Sequence, residues 1–493
     1  MVLPLFILSQ VLLFGMNIGV IGGQEEVIYS TSILGLAELK KVEELYIARL
    51  VNYTDALQKK VEALKTFIET VNQTKFETVE ERMKFVSNPL NAFGLVRRVH
   101  VDLQKIQKYI KKRASKDLRE MENLLAKAPS DDDMNEALKG MHRIQKIYDL
   151  QATDLFKGLL SGVQYNARLS SYDCLAIADY IFNKTEYTRA AEWYKVGLYY
   201  FKPIVNRILK QIFNIDHLDT RKKYLLCRLK INGPKRTQQF LAELTKEPKA
   251  FVQETLPTTM ELGCRELFAK RNRMRCRYNF TTTPFLRLAP MKMEEISRYP
   301  PIWLYHDVIS DSDIATLTSY SLSDLSQGWT DQYKKENEKE RTFQTTPYYS
   351  DGGPLDKRLH SRIVDMTGLD VGSRTNFKVA NYGLGGYFPN HTDFLNITKH
   401  PSKYYNNKVD DRLATVIFYI GDVPQGGNIV FPRARISVRP QKGTALFWYN
   451  LHNDGKPNML SEHTVCPVIV GNKWTLTSSI LEREQMFLKP CYK

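Results

Sequence analysis

The chain has 493 residues, 43% hydrophobic and 25% charged, which excludes both a disordered chain and a single ordinary core. Its formal net charge of +16 would suit nucleic acid, a membrane surface or an acidic partner. There is no zinc-finger spacing, RNA-recognition signature or basic tail, and the lysines and arginines are spread through helical segments as solvated faces would be, so nucleic acid is set aside.

In chain order, residues 1–23 form an apolar run (Leu3, Leu5, Phe6, Ile7, Leu8, Val11 to Phe14) with no charge before Glu25 and small residues at its end. It reads as a signal peptide, with a membrane anchor as the rival because the run approaches the ~20 residues a span needs. No second such run follows, so no stable membrane span is expected in the mature chain. Five N-x-S/T sequons, at Asn52, Asn72, Asn183, Asn279 and Asn396, fit a glycosylated lumenal protein. In that oxidising setting the six cysteines include two pairs that would close short segments, Cys264–Cys276 and Cys466–Cys491, while Cys174 and Cys227 sit in helical surroundings as buried thiols or further bridges. The expected compartment is the endoplasmic reticulum lumen, with retention supplied by a partner because no KDEL-like signal is present.

Residues 24–130 read as helical. Leu39, Val42, Tyr46, Leu50, Tyr53, Leu57, Val61, Leu64, Ile68 and Val71 recur at three- and four-residue steps, a coiled-coil-like seam that would serve self-association or an intramolecular hairpin equally well. Asn88-Pro89 breaks the pattern, and the acidic, proline-containing stretch from Pro129 to Asp133 marks a boundary. Residues 131–257 are again helical. Ala178, Ile181, Ala190 and Tyr194 put small residues at helix crossings, as in one tetratricopeptide-like helix pair, and seven tyrosines from Tyr165 to Tyr200 suit either a core or a groove for a proline-rich peptide. Residues 258–299, with Cys264 and Cys276, read as a linker. From residue 300 the period changes to short β runs: Arg412–Ile420, Gly427–Phe431, Ile436–Val438, Thr444–Tyr449 and Val465–Val470, separated by glycine- and proline-bearing turns. The fold class is thus multidomain α plus β: a helical N-terminal domain, a tetratricopeptide-like helical domain and a C-terminal jelly roll.

The chemistry is concentrated in that last region. His391-Thr392-Asp393 is followed 72 residues later by His463. Two histidines and a carboxylate make the facial ligand set of non-haem Fe(II) oxygenases, which leaves the opposite face of the octahedron open. In extended backbone, residues i and i+2 point the same way, so His391 and Asp393 reach one ion.

Five blocks around the motif, VANYGLGG (Val379–Gly386), GGNIVFP (Gly426–Pro432), KGTALFWYNL (Lys442–Leu451), HTVCPVIVGNKW (His463–Trp474) and TGLDV (Thr367–Val371), together with HDVISDSDI (His306–Ile314), resemble the collagen-type prolyl 4-hydroxylase alpha subunits in order and spacing. The likeness implies a double-stranded β-helix and peptidyl-proline 4-hydroxylation with Fe(II), 2-oxoglutarate, dioxygen and L-ascorbate. It implies His391, Asp393 and His463 as iron ligands, Lys473 as the anchor of the far carboxylate of 2-oxoglutarate, and Tyr382 and Thr415 as hydroxyl partners of the same co-substrate. It further implies a proline-rich or collagen-like peptide substrate, a peptide-binding role for residues 131–257, and an α2β2 tetramer with protein disulfide isomerase, its alpha chains associating through the N-terminal domain. Asn390, Thr392 and Ser479 depart from the family pattern and bear on the peptide preference. The competing readings are a hydroxylase of another secreted proline-containing peptide and a non-catalytic peptide-binding subunit.

Overall fold

The computed structural model describes residues 29, 32–55, 61–71, 76–110, 116–213, 216–233, 237–249, 256–269, 275–322, 325–327, 343–348, 352–372, 377–395 and 410–488. The expected signal peptide, Leu57, Asn72, Asn396 and Cys491 lie outside these residues. Among the described residues no helix is long and apolar enough to cross a membrane.

The first part is helical: α1 (Ile33–Asp55), α2 (Val61–Thr70), α3 (Val79–Val86), α4 (Pro89–Arg97), α5 (Leu103–Ile110), α6 (Lys116–Leu125), α7 (Asp131–Tyr148) and α8 (Ala152–Lys157). The Asn88-Pro89 break is a helix start, because the Asn88 side chain accepts from the Leu90 N–H and proline occupies the first turn, where its missing N–H costs nothing. Ser130 and Asp133 form a reciprocal capping box on α7. The seam is answered inside the chain. Leu39, Tyr46, Leu50, Tyr53, Leu64 and Val71 are all buried, with α1 packed against α2, α3, α4 and α6. Of the two uses the spacing allows, the described part of the stripe serves intramolecular packing.

A short hairpin, β1 (Leu159–Leu160) with β2 (Val163–Gln164), leads to α9 (Ser171–Asn183), α10 (Tyr187–Tyr199), α11 (Arg207–Ile212), α12 (His217–Asn232) and α13 (Thr237–Glu243). Helices α9 and α10 pack as a hairpin with Ala178, Ile181, Ala190 and Tyr194 buried between them and their neighbours. Arg97 donates to Asp102 at 3.0 Å and to Asp173, a buried bridge from α4 to the start of α9. One apolar core runs from Ile33 to Phe240 across the expected boundary near residue 130, and it takes in Leu384, Ile469 and Val470 of the C-terminal part. Cys174 and Cys227 are buried free thiols.

The short helix α14 (Thr259–Cys264) precedes the β region. Its strands are β3 (Arg275–Asn279), β4 (Met291–Arg298), β5 (Pro301–His306), β6 (Ser326–Gln327), β7 (Gln344–Tyr348), β8 (Phe377–Tyr382), β9 (Phe388–His391), β10 (Arg412–Tyr419), β11 (Gln425–Gly426), β12 (Ile429–Phe431), β13 (Ile436–Val438), β14 (Ala445–Tyr449), β15 (His463–Val465), β16 (Val468–Val470) and β17 (Lys473–Leu481). They form an antiparallel nine-stranded sheet (order 3-4-5-14-10-17-8-7-6), a four-stranded sheet (13-12-15-9) and the pair 11-16. One face of the large sheet (Ala414, Val416, Phe418, Leu476) is covered by α15 (Asp311–Leu322) and α16 (Pro354–Thr367). The other face (Ile417, Tyr419, Tyr382, Trp448) packs on Ile429, Phe431, Val438 and Val465 of the small sheet. Alternation along β10 and β17 therefore sends Thr415, Ile417, Tyr419 and Lys473 into the space between the sheets. The run Val465–Val470, expected as one strand, divides into β15 and β16 at Cys466-Pro467, since proline has no N–H for a central ladder.

The disulfide expectation is corrected. Cys264 bonds Cys466, 202 residues away, with Cα atoms 5.7 Å apart. Helix α14 docks on β12, so closely that a Cβ on Gly263 would fall 2.3 Å from Val430, and this brings Cys264 to the end of β15. Cys276 is an exposed free thiol on β3, at the far edge of the large sheet. Among the sequons, Asn52 and Asn183 are exposed, whereas Asn279 is buried and donates to Thr282 at 2.8 Å.

Candidate functional site

The small sheet pairs β9 with β15 so that His391 and His463 stand opposite each other, ring centroids 4.2 Å apart. In each ring Nδ1 sits on a backbone carbonyl two residues earlier, Pro389 at 2.8 Å and Ser461 at 2.9 Å. That contact makes Nδ1–H the donor and leaves the Nε2 lone pair for a ligand. Asp393 completes the cluster, with Oδ1 3.7 Å from His391 Nε2 and Oδ2 4.0 Å from His463 Nε2. One ligand atom from each residue falls within a 4.8 Å group, and two imidazoles with one carboxylate are a donor set that suits Fe(II). Burial opposes ionisation of Asp393, but His463, His391, Arg412 and the Thr415 hydroxyl outweigh it and hold the carboxyl below its ordinary range.

Thr415 lies on the inward face of β10. Its hydroxyl donates to Asp393 Oδ2 at 2.6 Å and accepts from Asn450 Nδ2 at 2.9 Å, while Asn450 Oδ1 accepts from Trp448 Nε1 at 2.8 Å. Thr415 thus meets the Asp393 carboxylate, because the cross-strand neighbours of β10 and the segment after β9 converge there. Ser479 pairs with Thr415 from β17.

Three inward positions along β17 from Ser479, roughly 20 Å by strand rise, the inter-sheet space ends at Lys473. It is fully buried, and its Nζ donates to the Gly427 carbonyl at 2.7 Å. No described carboxylate pairs with it, and burial pushes the amine down to about 7. The rings of Tyr382, its cross-strand partner, and Tyr419 lie 5.7 and 5.5 Å from Nζ. The Tyr419 hydroxyl is buried with no hydrogen-bond partner among the described residues, and burial raises its pKa, so it stays a donor. A buried amine beside a phenol that lacks an acceptor is a site that an incoming carboxylate would satisfy.

Residues 32–162 match the family described as prolyl 4-hydroxylase alpha-subunit, N-terminal region, and residues 377–480 match the 2OG-Fe(II) oxygenase superfamily. The chain thus carries a match to that family's N-terminal region and, separately, one to the oxygenase superfamily. Prolyl 4-hydroxylase subunit alpha-1 of Mus musculus is 29% identical over 94% of this chain and 95% of its own length, and that of Homo sapiens 28% over the same shares. A viral collagen prolyl hydroxylase from Paramecium Bursaria Chlorella virus-1, solved as its 2OG complex, is 19% identical over 36% of this chain and 95% of its own, with a TM-score of 0.30.

The structure brings His391, Asp393 and His463 into one cluster and Tyr382 and Lys473 into another, with Thr415 at the first. Cys276 lies apart from both on β3. Tyr419, Asn450 and the Gly427 carbonyl were not singled out in the sequence. Tyr419 carried a signal, since it shares β10 parity with Thr415. Asn450 carried none beyond its place in the KGTALFWYNL block.

Proposed function

We propose that this chain hydroxylates peptidyl proline at C4, with Fe(II) on His391, Asp393 and His463 and 2-oxoglutarate anchored by Lys473. The observation that carries the reading is the pairing of a three-ligand cluster with a buried, carboxylate-free lysine in one inter-sheet space. When bound, Fe(II) and 2-oxoglutarate supply the oxidising chemistry, with L-ascorbate as the reductant that keeps the iron ferrous. The chain's own residues bind and orient. The carbonyls of Pro389 and Ser461 set the imidazole tautomers, Thr415 and Asn450 fix the Asp393 carboxylate, and Lys473 in its charged form pairs with the far carboxylate. Tyr382 and Tyr419 wall that end, Tyr419 offering its free hydroxyl. The inter-sheet apolar residues keep water out, so the reacting groups stay in near-attack geometry.

The peptide would extend onto the helical region 131–257, read as tetratricopeptide-like. Support comes from a groove of about 1080 Å³ whose walls include Phe156, Arg168, Tyr172, Tyr200 and Phe201. Stiff polyproline II segments dock on such aromatic walls at low entropy cost. The same reading divides the chain at 24–130, 131–257, 258–299 and 300–493, removes residues 1–23, and places the glycosylated product in the endoplasmic reticulum lumen in an α2β2 assembly with protein disulfide isomerase. Contact between the alpha chains would fall outside the buried stripe of α1 and α2.

The test is mass spectrometry of proline-containing peptides after incubation with Fe(II), 2-oxoglutarate and ascorbate. Oxygen gained on proline in step with succinate formation is expected; succinate without oxygen on any peptide would defeat the reading. Ser479, a small residue opposite Thr415, favours a second reading in which the substrate is another secreted proline-containing peptide. Collagen-like and unrelated peptides in one panel separate the two.

A further inference from the structure

Helix α7 reaches both halves of the candidate site from outside the β domain. Its last residue, Tyr148, donates its hydroxyl to the Pro467 carbonyl at 2.6 Å. The same carbonyl accepts from the Gly427 N–H at 3.1 Å, and the Gly427 carbonyl in turn accepts from Lys473 Nζ at 2.7 Å. One residue, Gly427, therefore separates the carbonyl that Tyr148 contacts from the lysine. The approach is close enough to require glycine: Gly426 has φ +78°, and a Cβ there would sit 2.9 Å from Tyr148 Oη and 2.5 Å from the Pro467 carbonyl oxygen.

One turn and more back along α7, Arg143 donates to the Gly385 carbonyl at 2.8 Å and lies over the Tyr387 ring at 5.3 Å. Gly140 and Gly385 meet backbone to backbone, since a Cβ on Gly385 (φ +59°) would fall 2.7 Å from Gly140 Cα. Gly385 opens the turn that leads through β9 to His391 and Asp393. Leu384 on this turn, and Ile469 and Val470 just before Lys473, are buried in the helical core. Both ligand-bearing segments are thus held from behind by one helix.

We propose that α7 is a positioning element of the catalytic centre: Tyr148 sets the peptide that backs Lys473, and Arg143 sets the turn that carries His391 and Asp393. The inference rests on the iron and 2-oxoglutarate reading above. It assigns to the helical region a part in co-substrate and metal affinity, with neither residue touching the reacting groups.

The two residues act on different ligands, which a merely structural interface would not do. In the full chain, anaerobic titrations followed by the visible absorption of the Fe(II)–2-oxoglutarate complex read each affinity without turnover. Tyr148→Phe keeps the ring and loses one hydrogen bond, so the half-saturating 2-oxoglutarate concentration should rise roughly three- to tenfold while the Fe(II) value holds. Arg143→Met should weaken Fe(II) by a similar factor, and Arg143→Lys should recover part of it. Unchanged constants in both variants, or the two constants shifting together in step with a lowered melting temperature, would overturn the inference. Absence of the band in the wild-type chain would instead remove the site reading, and this inference with it.

Discussion

Replacing Lys473 with methionine should make the ligand-free protein more stable, and the gain should depend on pH. The folded amine is pushed from 10.5 to about 7 by burial, with one carbonyl as its hydrogen-bond partner. At roughly 1.4 kcal/mol per unit the charged amine costs the fold on the order of 4–5 kcal/mol. Below pH 7 both states are protonated and the cost is carried in full. Between pH 7 and 10.5 the unfolded chain binds a proton that the folded chain does not, so stability climbs with pH and the cost vanishes at the upper end. Urea unfolding in a chelator, compared at about pH 6.5 and about pH 9.5, should show this climb in the wild type and a shallower slope in Lys473→Met. The variant should be the more stable of the two at the lower pH. Saturating Fe(II) and 2-oxoglutarate should reverse the ranking, because the lysine then has its anion. Losing one partner of such a buried pair costs roughly 3–5 kcal/mol, a hundredfold or greater rise in half-saturating 2-oxoglutarate. A variant less stable than wild type at the lower pH, or one that 2-oxoglutarate protects equally well, would refute the reasoning.

Alanine at His391, Asp393 or His463 should abolish Fe(II)-dependent succinate formation with the circular dichroism spectrum preserved; activity near wild type in any one would break the ligand set. Thr415→Val removes a hydrogen bond to the Asp393 carboxylate worth roughly 1–2 kcal/mol, so Fe(II) should bind roughly tenfold more weakly with half-saturating 2-oxoglutarate unchanged; isothermal titration of the metal checks it. Non-reducing peptide mapping should recover Cys264 linked to Cys466, and Cys466→Ser should lower stability by roughly 2–5 kcal/mol, given the long loop that the bond closes.

The strands were legible where hydrophobic runs are bounded by turn residues. Ile436–Val438 is β13 as read, and Arg412–Ile420 overshoots β10 by one residue. In the structure, alternation along β10 and β17 puts Thr415 and Lys473 on inward faces. Which groups they meet there depends on cross-strand register, a long-range property that local pattern does not carry. Hence the contact of Thr415 with Asp393 was not legible, and Cys466 was paired along the chain when its partner arrives on α14. The stripe from Leu39 to Val71 left two uses open for a different reason. A three-and-four spacing marks an apolar helix face without saying whether a second chain or the next helix covers it, and here α3, α4 and α6 cover it. The H-x-D spacing needed no such information, because its two ligands are two residues apart at the end of β9 and His463 is set opposite by a single strand pair.

The place of β17 bears on how the protein is made. It is the last strand in sequence, yet it lies between β10 and β8, with Lys473 at its head. During vectorial synthesis, β8 and β10 emerge first and have only water, or each other in a wrong pairing, along the edges that β17 will occupy. Those edges belong to strands whose residues are nearly all buried in the finished sheet, the composition most inclined to join another chain. A nascent chain of this protein therefore carries two open, apolar edges until its final strand slots between them, and a chaperone that shields those edges would govern how much active protein is obtained.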